Sequence, residues 1–277
     1  MTRSTRSRWI FTVICACAAV FLMARFFGLG RSKAQDAPRE RDRGKGKGGE
    51  VTEAPKDARR VLFVGNSFTY SNDLPSIVEA LAAATGQKRF VHEEVVFGGY
   101  SLEDHWNDGQ ALSAIKEGGW ELVVMQHGPS AWDGRPTLYE YGPRFAKEIR
   151  AVGARPALFM VWPERARLDS DFARCSETYR TAAEMIDGLL FPGGEAWQEA
   201  WKLDPGLPLY SFDDLHPSKT GSYLVALVMY EQIYKKSPIG LPSQFKLRDG
   251  TKFSIPAEQA KLLQQAAVTA NKKFARP

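Results

Sequence analysis

The sequence predicts an α/β domain in which helices cover both faces of a parallel sheet. Three observations lead there. Short runs that are apolar throughout, such as Val61 to Val64, recur from residue 59 onward; strands buried on both faces read this way, whereas half-exposed strands alternate. Stretches with apolar residues at helical spacing separate those runs. Polar residues and glycines then interrupt the pattern where the runs end, and open parallel sheets bind their ligands beyond the carboxyl ends of their strands.

Taken in order, Val61 to Val64 predicts the first strand and Pro75 to Ala84 a helix. A second strand follows in "FVHEEVVFGG", then a polar, helix-like stretch to Gly118. "WELVVMQHG" predicts a third strand, Leu138 to Val152 a helix, and "RPALFMVWP" a fourth strand. A long helix is expected from Phe172 to Leu190, a helical turn from Glu195 to Trp201, and a last short strand in "LPLYSF". Gly221 to Lys235 and Ala257 to Phe274 are the closing helices.

The 277-residue chain has a net charge of +5, unevenly distributed. Residues 1–60 hold 14 Lys and Arg against 6 Asp and Glu, whereas the remainder holds 23 against 26. The basic character therefore belongs to the N-terminal extension, and the folded part gives no reason to expect a nucleic-acid partner. Arg3, Arg6 and Arg8 precede an apolar run from Trp9 to Ala24, a basic region and hydrophobic core of the kind that directs export. Residues 1–30 are thus expected to be a signal peptide or membrane anchor, 31–58 a charged spacer, and 59–277 the folded domain. The protein should be periplasmic or extracellular, either released or held at the membrane by the N-terminal segment. Outside the leader only Cys175 remains, so no internal disulfide is expected there and the thiol reads as a buried apolar residue.

Four run ends offer complementary chemistry. Ser67 follows the first strand in "VLFVGNSFT", at a strand-to-helix turn where backbone N–H groups are free. A serine hydroxyl needs a base, and a base that is a histidine needs a carboxylate to fix its tautomer. "SFDDLHPSKTG" supplies both in Asp213 and His216, with Asp214 a competitor expected to point elsewhere. Gly98 and Gly99 after the second strand, together with the Ser67 amide, are candidate donors to an oxyanion. Gln126 carries a side-chain amide at the third strand end and is the candidate third donor. His92, His105 and His127 show no pairwise spacing suited to a metal, and no cofactor is expected. His105 and Trp106 fall near the mouth of the site. Trp132, Trp162, Trp197 and Trp201 fall on or near the catalytic side and suit a sugar or flat acyl group. Arg165 and Arg167 read as solvated loop charges.

These segments resemble the SGNH (GDSL-like) hydrolases. "GNSFT" looks like their block I, "VFGGYSLEDHW" like block II with its oxyanion glycine, "ELVVMQHGPS" lies where block III falls, and "DDLHPSKTG" looks like block V. "FPGGEAWQEA" is similar to the segment that precedes the catalytic loop in bacterial members. The resemblance spans residues 60 to 235 and implies a three-layer, flavodoxin-like α/β/α fold. It also implies Ser67 as nucleophile, His216 as base, Asp213 as orienting acid and Gly99 as an oxyanion donor. Family members act on esters, thioesters, lipids and acylated sugars, so an ester or glycan ester is the expected substrate. The chain departs in two places: Asn66 stands where the family has Asp, and block III lacks its oxyanion asparagine, for which Gln126 is the substitute. The same groups would serve acyl transfer to a sugar hydroxyl. A noncatalytic carbohydrate-binding protein that keeps the fold is the reading from a different class.

Overall fold

The computed structural model describes residues 57–275, so the expected leader and the spacer as far as residue 56 lie outside the described residues. The first strand, β1 (Ala58–Gly65), pairs in parallel with β2 (Arg89–Val96) on one side and β3 (Leu122–Met125) on the other. β4 (Arg155–Phe159) and β5 (Leu189–Phe191) extend the sheet to the order β2-β1-β3-β4-β5, parallel throughout. The chain leaves β1 for one side and returns to pair on the other, which opens a crevice at the carboxyl ends of β1 and β3. Val64 is level with both Val95 and Met125, so the loops after these three strands begin at one height.

Leu62, Phe63, Val64 and Val123 are fully buried because side chains on both sheet faces meet helices. Each such Leu, Val or Phe contributes about 1.5–3 kcal/mol by leaving water. On one side α2 (Leu74–Ala84) packs with α8 (Lys219–Tyr234), and α7 (Gly193–Leu203) and α9 (Ala257–Phe274) pack against α8 and each other. α8 is apolar nearly all round because neighbours enclose it. The other group comprises α3 (Leu102–Asp108), α4 (Gln110–Glu117), α5 (Gly134–Ala151) and α6 (Leu168–Met185). A single turn, α1 (Ser67–Tyr70), leads from β1 toward α2. This is the three-layer α/β/α sandwich that the sequence predicts.

The differences are local. The polar stretch before Gly118 is two helices, broken at Gly109, whose φ of 80° suits glycine. The long helix ends at Met185, and Asp187 (φ 42°) with Gly188 turns the chain so that Leu189–Phe191 becomes β5. "LPLYSF" is not a sheet strand. Its backbone is used on its own loop through a Tyr210–Pro217 bridge and the Ser218 N–H to Leu209 O bond of 2.8 Å. A hairpin, β6 (Gln244–Lys246) with β7 (Lys252–Ser254), turns at Asp249-Gly250 and was not expected.

Candidate active site

Gly65 ends β1 against the side chains of Gln126 and Thr69. A Cβ there would lie 2.6 Å from Gln126 Oε1 and 2.7 Å from Thr69 Oγ1, so no larger residue fits. Asn66 is extended and caps α1, its Oδ1 accepting from the Phe68 N–H at 3.1 Å. Its Nδ2 donates to Tyr100 O at 2.8 Å, which ties the turn to the loop after β2. Ser67 opens α1, is 8% exposed, and its N–H donates to no acceptor among the described residues.

The loop between Tyr210 and Pro217 brings the other two groups to Ser67. Ser67 Oγ lies 2.7 Å from His216 Nε2 across 149 residues of sequence. His216 Nδ1 lies 2.6 Å from Asp213 Oδ2, and Asp213 Oδ1 accepts the N–H groups of Leu215 and His216 at 3.1 and 3.0 Å. One carboxylate therefore orients the ring and folds the loop that carries it. Asp214 turns away, with φ at 56°, to pair with Arg165 at 2.6 Å. Phe68 backs the imidazole at 5.7 Å between centroids, and Trp162 Nε1 donates to Leu215 O at 3.1 Å. Asn72 Nδ2 donates to Pro217 O at 2.9 Å and to Ser222 Oγ at 3.0 Å, linking the segment after Ser67 to the His216 loop. Sequence reasoning missed Asn72 and Phe68. The Asn-Asp-Leu-Pro turn around Asn72 is the one signal that was available.

No protein-family model matches the sequence, and no curated protein matches it. Solved structures do. A protein from Slackia heliotrinireducens assigned to the SGNH hydrolases is 27% identical, covers 64% of this chain and 99% of its own, and superposes with a TM-score of 0.55. The chain is thus similar in sequence and fold to an SGNH hydrolase. A DUF4886 family protein from Bacteroides uniformis shares its fold at 18% identity, covering 78% of this chain and 96% of its own, with a TM-score of 0.64. So does a lipase/acylhydrolase from Enterococcus faecalis, at 18% identity, 64% and 96% coverage, and a TM-score of 0.52.

The contacts of Asn66 account for the first departure from the SGNH pattern. An aspartate at position 66 would cap α1 equally well but has no hydrogen to give Tyr100 O, whereas Asn66 both accepts and donates. The second departure corrects an expectation. Gln126 is fully buried; its Oε1 accepts from Asn66 N and Thr69 Oγ1, both at 2.9 Å, and its Nε2 donates to His127 O at 2.7 Å. The two donors fix which end of the amide is oxygen. Gln126 thus supports the Ser67 turn from beneath and presents no amide to a substrate. His127 is buried as well, its Nδ1 accepting from Leu102 N at 3.1 Å, and burial holds its pKa down to about 4, so the ring stays neutral. The Gly99 N–H has no hydrogen-bond partner among the described residues, and Gly99 is exposed with φ at 74°.

Burial disfavours the Asp213 carboxylate. The bonds from the His216 ring and from the Leu215 and His216 amides outweigh it and keep the group below the usual carboxylate range. His105 is not a wall of the mouth. It is fully buried with Nε2 2.8 Å from Gly65 O, and burial lowers its pKa, so as neutral imidazole it donates to the end of β1. Trp106 is half-buried against Phe145. Trp162 and Trp197 are buried and stacked at 3.5 Å, and Trp201 meets Trp197 edge-on, so these three pack the core instead of facing a substrate. Trp132 differs, being 50% exposed. Arg165 and Arg167 are ion-paired, the latter with Asp171 at 2.6 Å. Cys175 is buried beside Val161 O, and burial pushes its thiol up to about 12, which leaves it inert.

Proposed function

We propose that this protein is an SGNH-type hydrolase that cleaves carboxylic esters, carbohydrate O-acetyl esters foremost, through an acyl-enzyme on Ser67. The observation that carries the reading is the unbroken chain Ser67 Oγ to His216 Nε2 to His216 Nδ1 to Asp213, at 2.7 and 2.6 Å. Ser67 attacks the carbonyl carbon while His216 Nε2 takes its proton, and Asp213 balances the imidazolium. The free N–H groups of Ser67 and Gly99 receive the oxyanion, each donor being worth about 3 kcal/mol in the transition state. His216 returns the proton to the departing alcohol, then draws one from the water that resolves the acyl-enzyme. The substrate is a neutral small molecule or glycan. The basic, apolar segment at 1–30 supports export to the periplasm or beyond, with membrane association through that segment. Among the described residues no helix is long and apolar enough to cross a membrane.

Labelling of the purified protein with a fluorophosphonate, read by intact mass, tests the chemistry. One adduct is expected, absent in Ser67→Ala and formed about 10³–10⁴-fold more slowly in His216→Ala and Asp213→Asn. A folded protein that never forms the adduct would sink the reading.

A further inference from the structure

We infer that the cleft beside His216, walled by Trp132, Asp171, Arg167 and Glu164, is the subsite for the sugar that carries the ester. The inference rests on the esterase reading, because that chemistry decides on which side the alcohol must lie. His216 returns its proton to the leaving oxygen, so the alcohol half of the substrate sits on the His216 side of Ser67. A cleft of about 200 Å³ reaches the His216 loop at Leu215 and opens between Pro129 and Trp132 after β3, Glu164 and Arg167 after β4, and Asp171 of α6.

Its walls are held in place before any ligand arrives. Trp132 is 50% exposed, yet its Nε1 donates to Asp171 Oδ1 at 3.2 Å, and the Arg174 guanidinium covers the ring at 3.5 Å from its centroid. With one face covered and the N–H tied down, the open part of a fixed indole is what the cleft receives. Asp171 is itself buried. It also accepts from Ser170 Oγ at 3.0 Å and pairs with Arg167 at 2.6 Å, so one carboxylate positions both the ring and the guanidinium. Fixed aromatic area loses little freedom on binding.

A pyranose matches these walls, its C–H face against the indole and its hydroxyls meeting the Arg167 donors and the Glu164 acceptor. Competing substrates fit less well. Asp133, Glu164 and Asp171 outnumber Arg167 along the cleft, which disfavours an anionic ligand. The volume lies below the ~300–1,000 Å³ of drug-sized sites, and the mixed lining gives an acyl chain no extended apolar wall.

The test compares one acyl group on two alcohols, mono-O-acetylated methyl β-xylopyranoside and ethyl acetate, with the wild type, Trp132→Ala and Trp132→Phe. The ratio of kcat/KM for the acetylated xyloside over that for ethyl acetate should fall about tenfold or more in Trp132→Ala. The loss should appear mainly in KM, and phenylalanine should restore most of it. An unchanged ratio, or an equal loss on both esters, would overturn the subsite and leave the esterase standing. Separately, methyl β-xylopyranoside titrated into Ser67→Ala should give a saturable tryptophan fluorescence change that vanishes in Ser67→Ala/Trp132→Ala. That signal in a protein inactive on every ester would sink the esterase and keep the subsite. Its absence at every soluble concentration would overturn the subsite.

Discussion

Gln126 shows how one buried amide can settle the shape of a nucleophile turn. Asn66 N–H and the Thr69 hydroxyl both end on its Oε1, and neither has water to fall back on. Gln126→Leu removes that acceptor and should destabilise the fold by about 1–3 kcal/mol for each orphaned donor. Urea unfolding measures this. An unchanged midpoint together with a kcat reduced about 10²–10³-fold would instead return Gln126 to the role of oxyanion donor. The residue type was legible in the sequence as a polar interruption at a strand end, but its direction was not. A glutamine offers a donor and an acceptor, and only the neighbours decide which faces the chemistry.

At the scale of elements, the segment between α1 and α2 sets the nucleophile against its base. Asn72 and Asp73 both adopt left-handed backbone, with φ of 56° and 57°. That conformation costs most residues about 1–2 kcal/mol but suits Asn and Asp. It aims the Asn72 amide at Pro217 O and Ser222. Asn72→Ala should slow fluorophosphonate labelling about tenfold, since misplacement by about 1 Å costs up to 100-fold. Asn72→Gly should lose the same rate with less loss of stability, as glycine relieves the backbone but not the missing link. Equal labelling rates in wild type and both variants would exclude a positioning role. The sequence showed most elements because burial on both faces leaves continuous apolar runs. It concealed β5 because Leu189 to Phe191 directly follows an amphipathic helix, and only Asp187-Gly188 marks the break. The β6–β7 hairpin turns at Asp249-Gly250, a dipeptide that carries a local hairpin signal in the sequence.

For the whole molecule, the largest acid–base prediction lies away from the crevice. His92 of β2 is 8% exposed, with Glu79 of α2 at 3.3 Å, Glu94 at 3.5 Å and Ser76 Oγ at 3.5 Å. Burial opposes its charge, but the two carboxylates prevail and raise its pKa from 6.5 to about 9. The folded value exceeds the unfolded one, so the stabilisation is fully present below pH 6.5 and is lost as pH rises through about 9. Unfolding free energy measured between those limits should decline, and His92→Gln should flatten the decline. A wild-type profile that is level across the window would refute the charged pair.

The sequence alone determined the fold class and singled out Ser67, Asp213 and His216, which the fold brings together, because strand burial, helical spacing and loop chemistry are local patterns. The tertiary structure alone decided that Gln126 is a support, that Trp162, Trp197 and Trp201 are core while Trp132 faces a cleft, and that "LPLYSF" pairs with its own loop. Those outcomes depend on what packs against each side chain or claims each N–H, and the partners lie dozens of residues away, where no periodicity reaches.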